Sequence, residues 1–140
     1  MIKFEQGVCV VLPTLNKDRE VLAISRRNST TQFGLPGGKV ERFESNLDAV
    51  IRETDEECKL RLRPHLLIPL FVGACFGADG RHYWVTTYLY EGGFDSAPEA
   101  GEEDFILNPM LMDDLCKKEI SPFAHYNQQV LGAWNRYDLK

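Results

Sequence analysis

The chain has 140 residues, of which 44% are hydrophobic and 11% aromatic. This length and composition predict one domain with a single core, spanning residues 1–140, and exclude disorder as the main state. Sixteen Lys and Arg stand against 21 Asp and Glu, a formal net charge of −5. No basic field is available to hold a nucleic-acid backbone, so we expect no duplex nucleic acid among the partners.

The four cysteines contain no C-x-x-C pair, and the N-terminal residues lack the apolar stretch of a secretory signal. No apolar run approaches the roughly 20 residues of a membrane-spanning helix. The sequence therefore predicts a soluble protein of the reducing cytoplasm with no membrane partner.

The first half of the chain predicts strands followed by one long helix. Apolar runs at residues 7–12 and 20–27 flank a polar turn and predict a β-hairpin. A turn-rich stretch at residues 33–38 follows. The helix begins at Ser45, which with Asp48 resembles a capping box. One helix face carries apolar residues at helical spacing: Leu47, Val50, Ile51 and Cys58.

The second half predicts strands at residues 66–74 and 82–90, an acidic loop at 91–104 and a last helix beginning at Ser121-Pro122. This order predicts an α+β fold, an α/β/α sandwich with a mixed β-sheet between helices. The aromatic strand at 83–90 is either a dimer edge or buried within the monomer, so a homodimer stays open.

Three glutamates project from one side of the long helix. Glu53, Glu56 and Glu57 stand at positions i, i+3 and i+4, where like charges repel. A cluster of carboxylate oxygens suits Mg²⁺ or Mn²⁺. For three glutamates alone, a solvated acidic face is the simpler interpretation.

The wider pattern around these glutamates resembles the Nudix box, G-x5-E-x7-R-E-U-x-E-E-x-G-U, where U is a bulky aliphatic residue. The stretch preceding it, residues 34–41, resembles the lead-in of MutT-like members of that family. Within residues 38–60, six of the seven fixed positions agree: Gly38, Glu44, Arg52, Glu53, Glu56 and Glu57.

Two positions depart from the box. Thr54 stands where it has an aliphatic residue, and Lys59 where it has glycine. Neither position provides a metal ligand. We expect Thr54 to affect packing, and Lys59 to adopt a left-handed conformation at a cost of roughly 1 kcal/mol.

The resemblance implies a site that binds metal ions through Glu53, Glu56, Glu57 and the carbonyl of Gly38, with Mg²⁺ as cofactor and Mn²⁺ as a substitute. These ions would bridge a substrate diphosphate and activate water. The general base is left open between Glu53 on the helix and Glu102 or Glu103 in the acidic loop. Arg52 is expected to pair with Glu44 or with a ligand carboxylate and so to fix its rotamer.

Substrate contacts are less well defined by the sequence. Arg26 or Arg27 is a candidate phosphate ligand at a strand end, and strand alternation lets only one of them face the site. Asn127 resembles the position from which some MutT-like members read a base edge, although an exposed polar helix residue is the simpler interpretation. Four aromatic residues are candidates for a stacking wall or, equally, for the core: Phe33, Tyr83, Trp84 and Phe123.

The resemblance implies a Nudix hydrolase that cleaves a nucleoside diphosphate linked to another group. The lead-in most resembles MutT-type members, which convert nucleoside triphosphates, including oxidised ones, to the monophosphate and pyrophosphate. Other substrates of the same class are ADP-ribose, nucleotide sugars, dinucleoside polyphosphates and capped RNA ends. A catalytically silent domain that only binds a nucleotide is the alternative from a different class.

Overall fold

The computed structural model describes residues 2–16, 18–26, 29–77, 79–102 and 105–139. These described residues form seven strands, three α-helices and one short 3₁₀ turn at Pro64–Leu66. In chain order the elements are β1 (Phe4–Val11), β2 (Glu20–Arg26), β3 (Ser29–Gly34), β4 (Gly37–Lys39), α1 (Asn46–Cys58), β5 (Leu67–Phe76), β6 (His82–Tyr90), β7 (Leu107–Leu111), α2 (Met112–Leu115) and α3 (Ala124–Asp138).

The larger sheet is mixed and has the strand order β4-β1-β6-β5. Strand β1 runs parallel to β6 and antiparallel to β4, while β5 and β6 are antiparallel. Because β6 lies between β1 and β5, it is not an edge. Of the two roles left open for this aromatic strand, the structure selects the one inside the sheet.

The hairpin predicted from the first two strands forms only next to its turn. Strand β2 belongs to a separate antiparallel sheet of order β3-β2-β7. The connection to β1 is limited to a bridge between Pro13 and Val21, flanked by backbone hydrogen bonds at Leu12 and Thr14. Proline has no N–H to continue a ladder of hydrogen bonds, so the two strands separate into different sheets at this point.

The structure contains short elements that the sequence does not predict. Strands β3 and β4 overlap the stretch predicted as turns: β3 pairs with β2, and β4 forms because Gly37–Lys39 pairs with Gly7–Cys9 of β1. Strand β7 contains Pro109 and lies at the edge of the smaller sheet, where proline is tolerated. The short helix α2 follows it directly.

Helix α1 has the predicted start and end. The Ser45 hydroxyl accepts a hydrogen bond from the Asp48 N–H at 3.0 Å. Lys59 ends the helix in the left-handed conformation, with φ of 53°. Thr54 is fully buried, and its hydroxyl donates to the Val50 carbonyl at 2.7 Å, so the polar atom inserted into the apolar face is satisfied.

The helices cover opposite faces of the larger sheet. One core cluster joins Val8 and Val10 of β1 to Val50 and Cys58 of α1. A second cluster joins Val11 and Leu89 to side chains of α2 and α3: Met112, Leu115, Tyr126, Val130 and Trp134. This layering confirms the predicted α+β sandwich, with two sheets in place of the single one expected.

None of the helices in the described part of the chain is both long and apolar enough to span a membrane.

Candidate active site

Arg52 is the centre of a carboxylate network on α1. Its Nε and Nη2 donate to the two carboxylate oxygens of Glu44 at 2.7 and 3.0 Å, a bidentate pair. Nη1 donates to Glu53 at 3.0 Å and to Glu56 at 3.3 Å, and Nη2 also reaches the carbonyl oxygen of Lys39 at 3.2 Å. The fixed fork of the guanidinium thus orients three carboxylates and the end of β4.

Glu53 lies against the backbone of Gly38. A Cβ at residue 38 would lie 2.5 Å from the Glu53 carboxyl group, so only glycine leaves the space that this carboxylate occupies. Burial raises the pKa of Glu53, and the nearby Arg52 guanidinium opposes that shift. This largely buried carboxylate beside Gly38 is a candidate to accept a proton from water.

The donor set at this site matches a hard divalent cation. Carboxylates of Glu53, Glu56 and Glu57 and the Gly38 carbonyl are the oxygen ligands that Mg²⁺ and Mn²⁺ prefer. Within the described ranges, no three acidic, His or Cys side chains are gathered into a ready metal-binding group. Arg52 instead binds Glu53 and Glu56, and the Gly37 N–H donates to Glu57 at 2.8 Å. The residues fit a cation by their chemistry, and binding one requires the carboxylates to exchange these donors for it.

The acidic loop is attached to the C-terminal end of α1. The N–H of Glu99 donates to the Cys58 carbonyl and the N–H of Gly101 to the Glu57 carbonyl, each at 3.0 Å. A Cβ at residue 101 would collide with the carbonyl oxygen of Glu56. This contact places Glu102 directly after a residue that touches the glutamate cluster, whereas Glu103 lies outside the described residues.

Replacing Gly101 by Ala is expected to displace this loop from α1 and to lower stability by about 1–2 kcal/mol, the loss of two backbone hydrogen bonds. Chemical denaturation measures the change. Gly132→Ala is the matched control, because its Cβ would meet only the flexible end of Arg136 at 3.4 Å within a helix and should be neutral or stabilising. Equal stability of the two variants would contradict the expectation.

Acid stability should depend on Glu44. The Arg52 guanidinium lowers the pKa of Glu44 from 4.5 to about 2. Because the pKa is lower in the folded state, the pair stabilises the fold fully above pH 4.5 and loses this contribution as the pH falls towards about 2. Urea unfolding over this window should show a shallower pH dependence for Glu44→Gln than for the unaltered protein. Identical slopes would contradict this role.

A cavity of about 430 Å³ adjoins the glutamate cluster at Gly37 and Gly38. It lies on the face of the larger sheet that α3 covers, and Phe123 and Asn127 of the predicted substrate contacts line it. The sequence analysis did not predict Lys39, which is the one cationic residue that lines the cavity in the described part of the chain. The Gly-Gly-Lys order of residues 37–39 was a signal for this residue. The other polar or aromatic side chains of its lining are Asp79, Tyr83 and Tyr126.

Of the remaining sequence candidates, only Tyr83 lines this cavity in the described part of the chain. Phe33 does not line this cavity and packs against the second core cluster. Trp84 is 44% exposed, and Tyr83 next to it lines the cavity, as strand alternation requires. Arg26 is the last residue of β2, and Arg27 lies outside the described residues.

Asn127 is 2% exposed, so its interpretation as an exposed helix residue is wrong. Its amide nitrogen donates to the Leu115 carbonyl at 2.8 Å and to the Ser121 hydroxyl at 3.3 Å. The nitrogen is therefore used by the fold, and the amide oxygen is the group left to accept a hydrogen bond at the cavity.

Comparison with known proteins agrees with this geometry. The model of the NUDIX domain family matches residues 3–125. A MutT Nudix hydrolase from Burkholderia pseudomallei is 28% identical, with a TM-score of 0.72 over 94% of this chain and 98% of its own. A MutT protein from Methanosarcina mazei Go1 is 18% identical, with a TM-score of 0.70 over 99% of this chain and 98% of its own.

The NUDIX domain of Shewanella oneidensis NrtR, solved in complex with ADP ribose, is 20% identical, with a TM-score of 0.73 over 98% of this chain and 90% of its own. Below 25% identity such a likeness concerns the fold alone. Comparison with curated proteins gave no match.

The family match covers most of the chain, which therefore belongs to the Nudix family. It is a MutT-like Nudix hydrolase. Members of this family generally use divalent metal cations and act on small-molecule nucleotides.

Proposed function

We propose that this hydrolase converts a nucleoside triphosphate, including an oxidised one, to the monophosphate and pyrophosphate with Mg²⁺, or Mn²⁺ as a substitute. The observation that carries the proposal is the cavity of about 430 Å³ directly beside Gly37 and Gly38, large enough for one nucleoside. A nucleoside bound there has its phosphates at Lys39 and Glu53.

Within this proposal the residues divide the work. Glu53, Glu56, Glu57 and the Gly38 carbonyl would hold the metal, which would neutralise the phosphates and lower the pKa of a bound water. Glu53 on the helix, or either Glu102 or Glu103 in the loop, accepts the proton from the attacking water. Arg52 keeps Glu53 and Glu56 oriented, and Lys39 provides a cation for the phosphates.

Recognition of the base is assigned to Asn127. Because its amide nitrogen is held by Leu115 and Ser121, its oxygen selects a base edge that carries an N–H donor. Oxidation of guanine at C8 turns N7 from an acceptor into such a donor, so an N7 edge presented to Asn127 would be accepted only in the oxidised purine. Phe123 and Tyr83 supply aromatic surface around the same cavity.

The proposal also includes a reducing cytoplasmic location. All four cysteines are free thiols in the structure, and burial raises the pKa of Cys9 and of Cys58 to about 12. Such thiols are protonated and unreactive at neutral pH, which is in keeping with a reducing cytoplasm. We also propose a homodimer, whose interface must lie on a surface other than β6, because that strand is internal to its sheet.

The test is a phosphate-release screen with Mg²⁺ over canonical and 8-oxo nucleoside triphosphates, ADP-ribose, nucleotide sugars, dinucleoside polyphosphates and a capped RNA. Glu56→Gln serves as the inactive blank. Pyrophosphate release from one triphosphate supports the proposal. Release of two monophosphate products from ADP-ribose, a nucleotide sugar or a dinucleotide would show that the substrate belongs to that class and not to the triphosphates. Binding without turnover would favour the silent nucleotide-binding domain.

A further inference from the structure

Lys39, the cationic residue that lines the cavity, is paired with a carboxylate of its own chain. Its ammonium lies 2.9 Å from a carboxylate oxygen of Glu5. Lys39 follows Gly38, which lines the cavity and whose Cβ position would meet the Glu53 carboxyl group. Lys39 therefore begins where the cavity meets the glutamate cluster, and a phosphate bound there must share its ammonium with Glu5 or replace Glu5.

The register of the larger sheet places Glu5 at the end of the cavity wall. Gly7 and Cys9 of β1 line the cavity, and Glu5 precedes them on the same side of the strand because side chains alternate. Glu5 is opposite Tyr83 of β6, which also lines the cavity, and Gly7 is opposite Lys39 of β4. The Glu5 carboxylate is therefore next to the cavity and not on a remote surface.

A second cation contacts the same carboxylate. Nη1 of Arg81, on the segment between β5 and β6, lies 3.4 and 3.5 Å from the two carboxylate oxygens of Glu5. The Glu5 side chain is 21% exposed, whereas that of Lys39 is 51% exposed. The hydrogen bond from Lys39 lowers the pKa of Glu5, so the carboxylate is charged at neutral pH. Glu5 is thus the enclosed, anionic member of the group, and Lys39 is the member that has room to turn.

A phosphate and Glu5 compete for the same ammonium. The Lys39 side chain ends in a point charge on a flexible stem, so it can turn from one anion to another. Repulsion between Glu5 and a phosphate farther away is weak, because water and salt screen charges at an exposed site. The ion pair between Glu5 and Lys39 therefore determines how readily Lys39 binds a phosphate.

We propose that Glu5 is a positioning residue that holds Lys39 when no phosphate is bound and competes for it with the phosphates of the substrate. The protein therefore binds phosphate groups less tightly than its cations alone would allow. The same competition acts on the phosphates of the products and favours their release. This inference rests on the proposed function, in which Lys39 provides a cation for the phosphates.

The test measures the binding of pyrophosphate in the presence of Mg²⁺ by calorimetry. Glu5→Gln should lower the dissociation constant about threefold to fivefold, the size of one partly exposed ion pair, because Lys39 is no longer held. In a Lys39→Met background the same substitution should leave the constant unchanged, since Glu5 acts through Lys39. The KM for the triphosphate should fall by the same factor in Glu5→Gln, with kcat unchanged.

Asp114→Asn is the matched control. It removes the same charge and breaks a similar ion pair, with Lys117 at 2.8 Å, on an element that does not line the cavity. The dissociation constant of pyrophosphate should not change in this variant. Thermal unfolding of each preparation checks that the fold is retained.

Three results would overturn the inference. They are an unchanged or raised dissociation constant in Glu5→Gln, a decrease of the same size in the Lys39→Met background, and no binding of pyrophosphate by any variant. The second would indicate that Glu5 acts by its charge alone and not through Lys39. The titration needs no turnover, so failure to hydrolyse any triphosphate would overturn the proposed function, while the titration still decides the role of Glu5.

Discussion

Replacing Glu53 by Gln is expected to lower kcat/KM by about 10³-fold, the combined loss of a metal ligand and a proton acceptor. The fold should tolerate the change, because burial against Gly38 already disfavours the charged carboxylate and raises its pKa. The amide keeps the size of the side chain and one oxygen for Arg52. Steady-state kinetics and thermal unfolding of the same preparation measure both effects.

Asp55→Asn is the matched control for this experiment. Asp55 is exposed on the same helix, two residues from Glu53, and lines a different depression of the surface. Its substitution removes the same charge without touching the cluster around Arg52. A loss of less than tenfold for Glu53→Gln, or an equal loss for Asp55→Asn, would show that the site is misassigned.

Replacing Arg52 by Lys should lower activity about 10–100-fold, the usual effect of removing a group that orients metal ligands. Lysine keeps the positive charge but cannot donate to both oxygens of Glu44 and also reach Glu53 and Glu56. Stability should fall by about 1–3 kcal/mol because hydrogen bonds between charged groups are lost from a side chain that is only 25% exposed.

Arg61→Lys is the corresponding control, since Arg61 is exposed on the segment after α1. Denaturant unfolding and the KM for metal ions should both stay unchanged in that variant. Activity of Arg52→Lys within threefold of the unaltered protein would contradict the positioning role of Arg52.

Local signals account for what could be predicted along α1. Ser45 and Asp48 define its start, and the spacing of Glu53, Glu56 and Glu57 places the carboxylates on one side. The pairing of Arg52 with Glu44 was expected from the motif and is confirmed. These features involve residues close in sequence, so the geometry of α1 and of the turn that precedes it brings them together.

Asn127 illustrates what sequence periodicity leaves undecided. Its polarity favoured an exposed position, but Leu115 and Ser121 bury it and fix the direction of its amide. Those partners come from α2 and the segment before α3, whose approach depends on how the helices pack. The cavity beside it requires the same packing, since β1, β4, β6 and α3 each contribute to its walls.

The family resemblance, helix α1 and the order of the main elements could be predicted from residue type and spacing, because each depends on near neighbours in the chain. The separation of β1 and β2 into different sheets and the internal place of β6 could not. Nor could the attachment of the acidic loop to α1 through Gly101. These features depend on contacts between distant residues, which residue type and spacing do not encode.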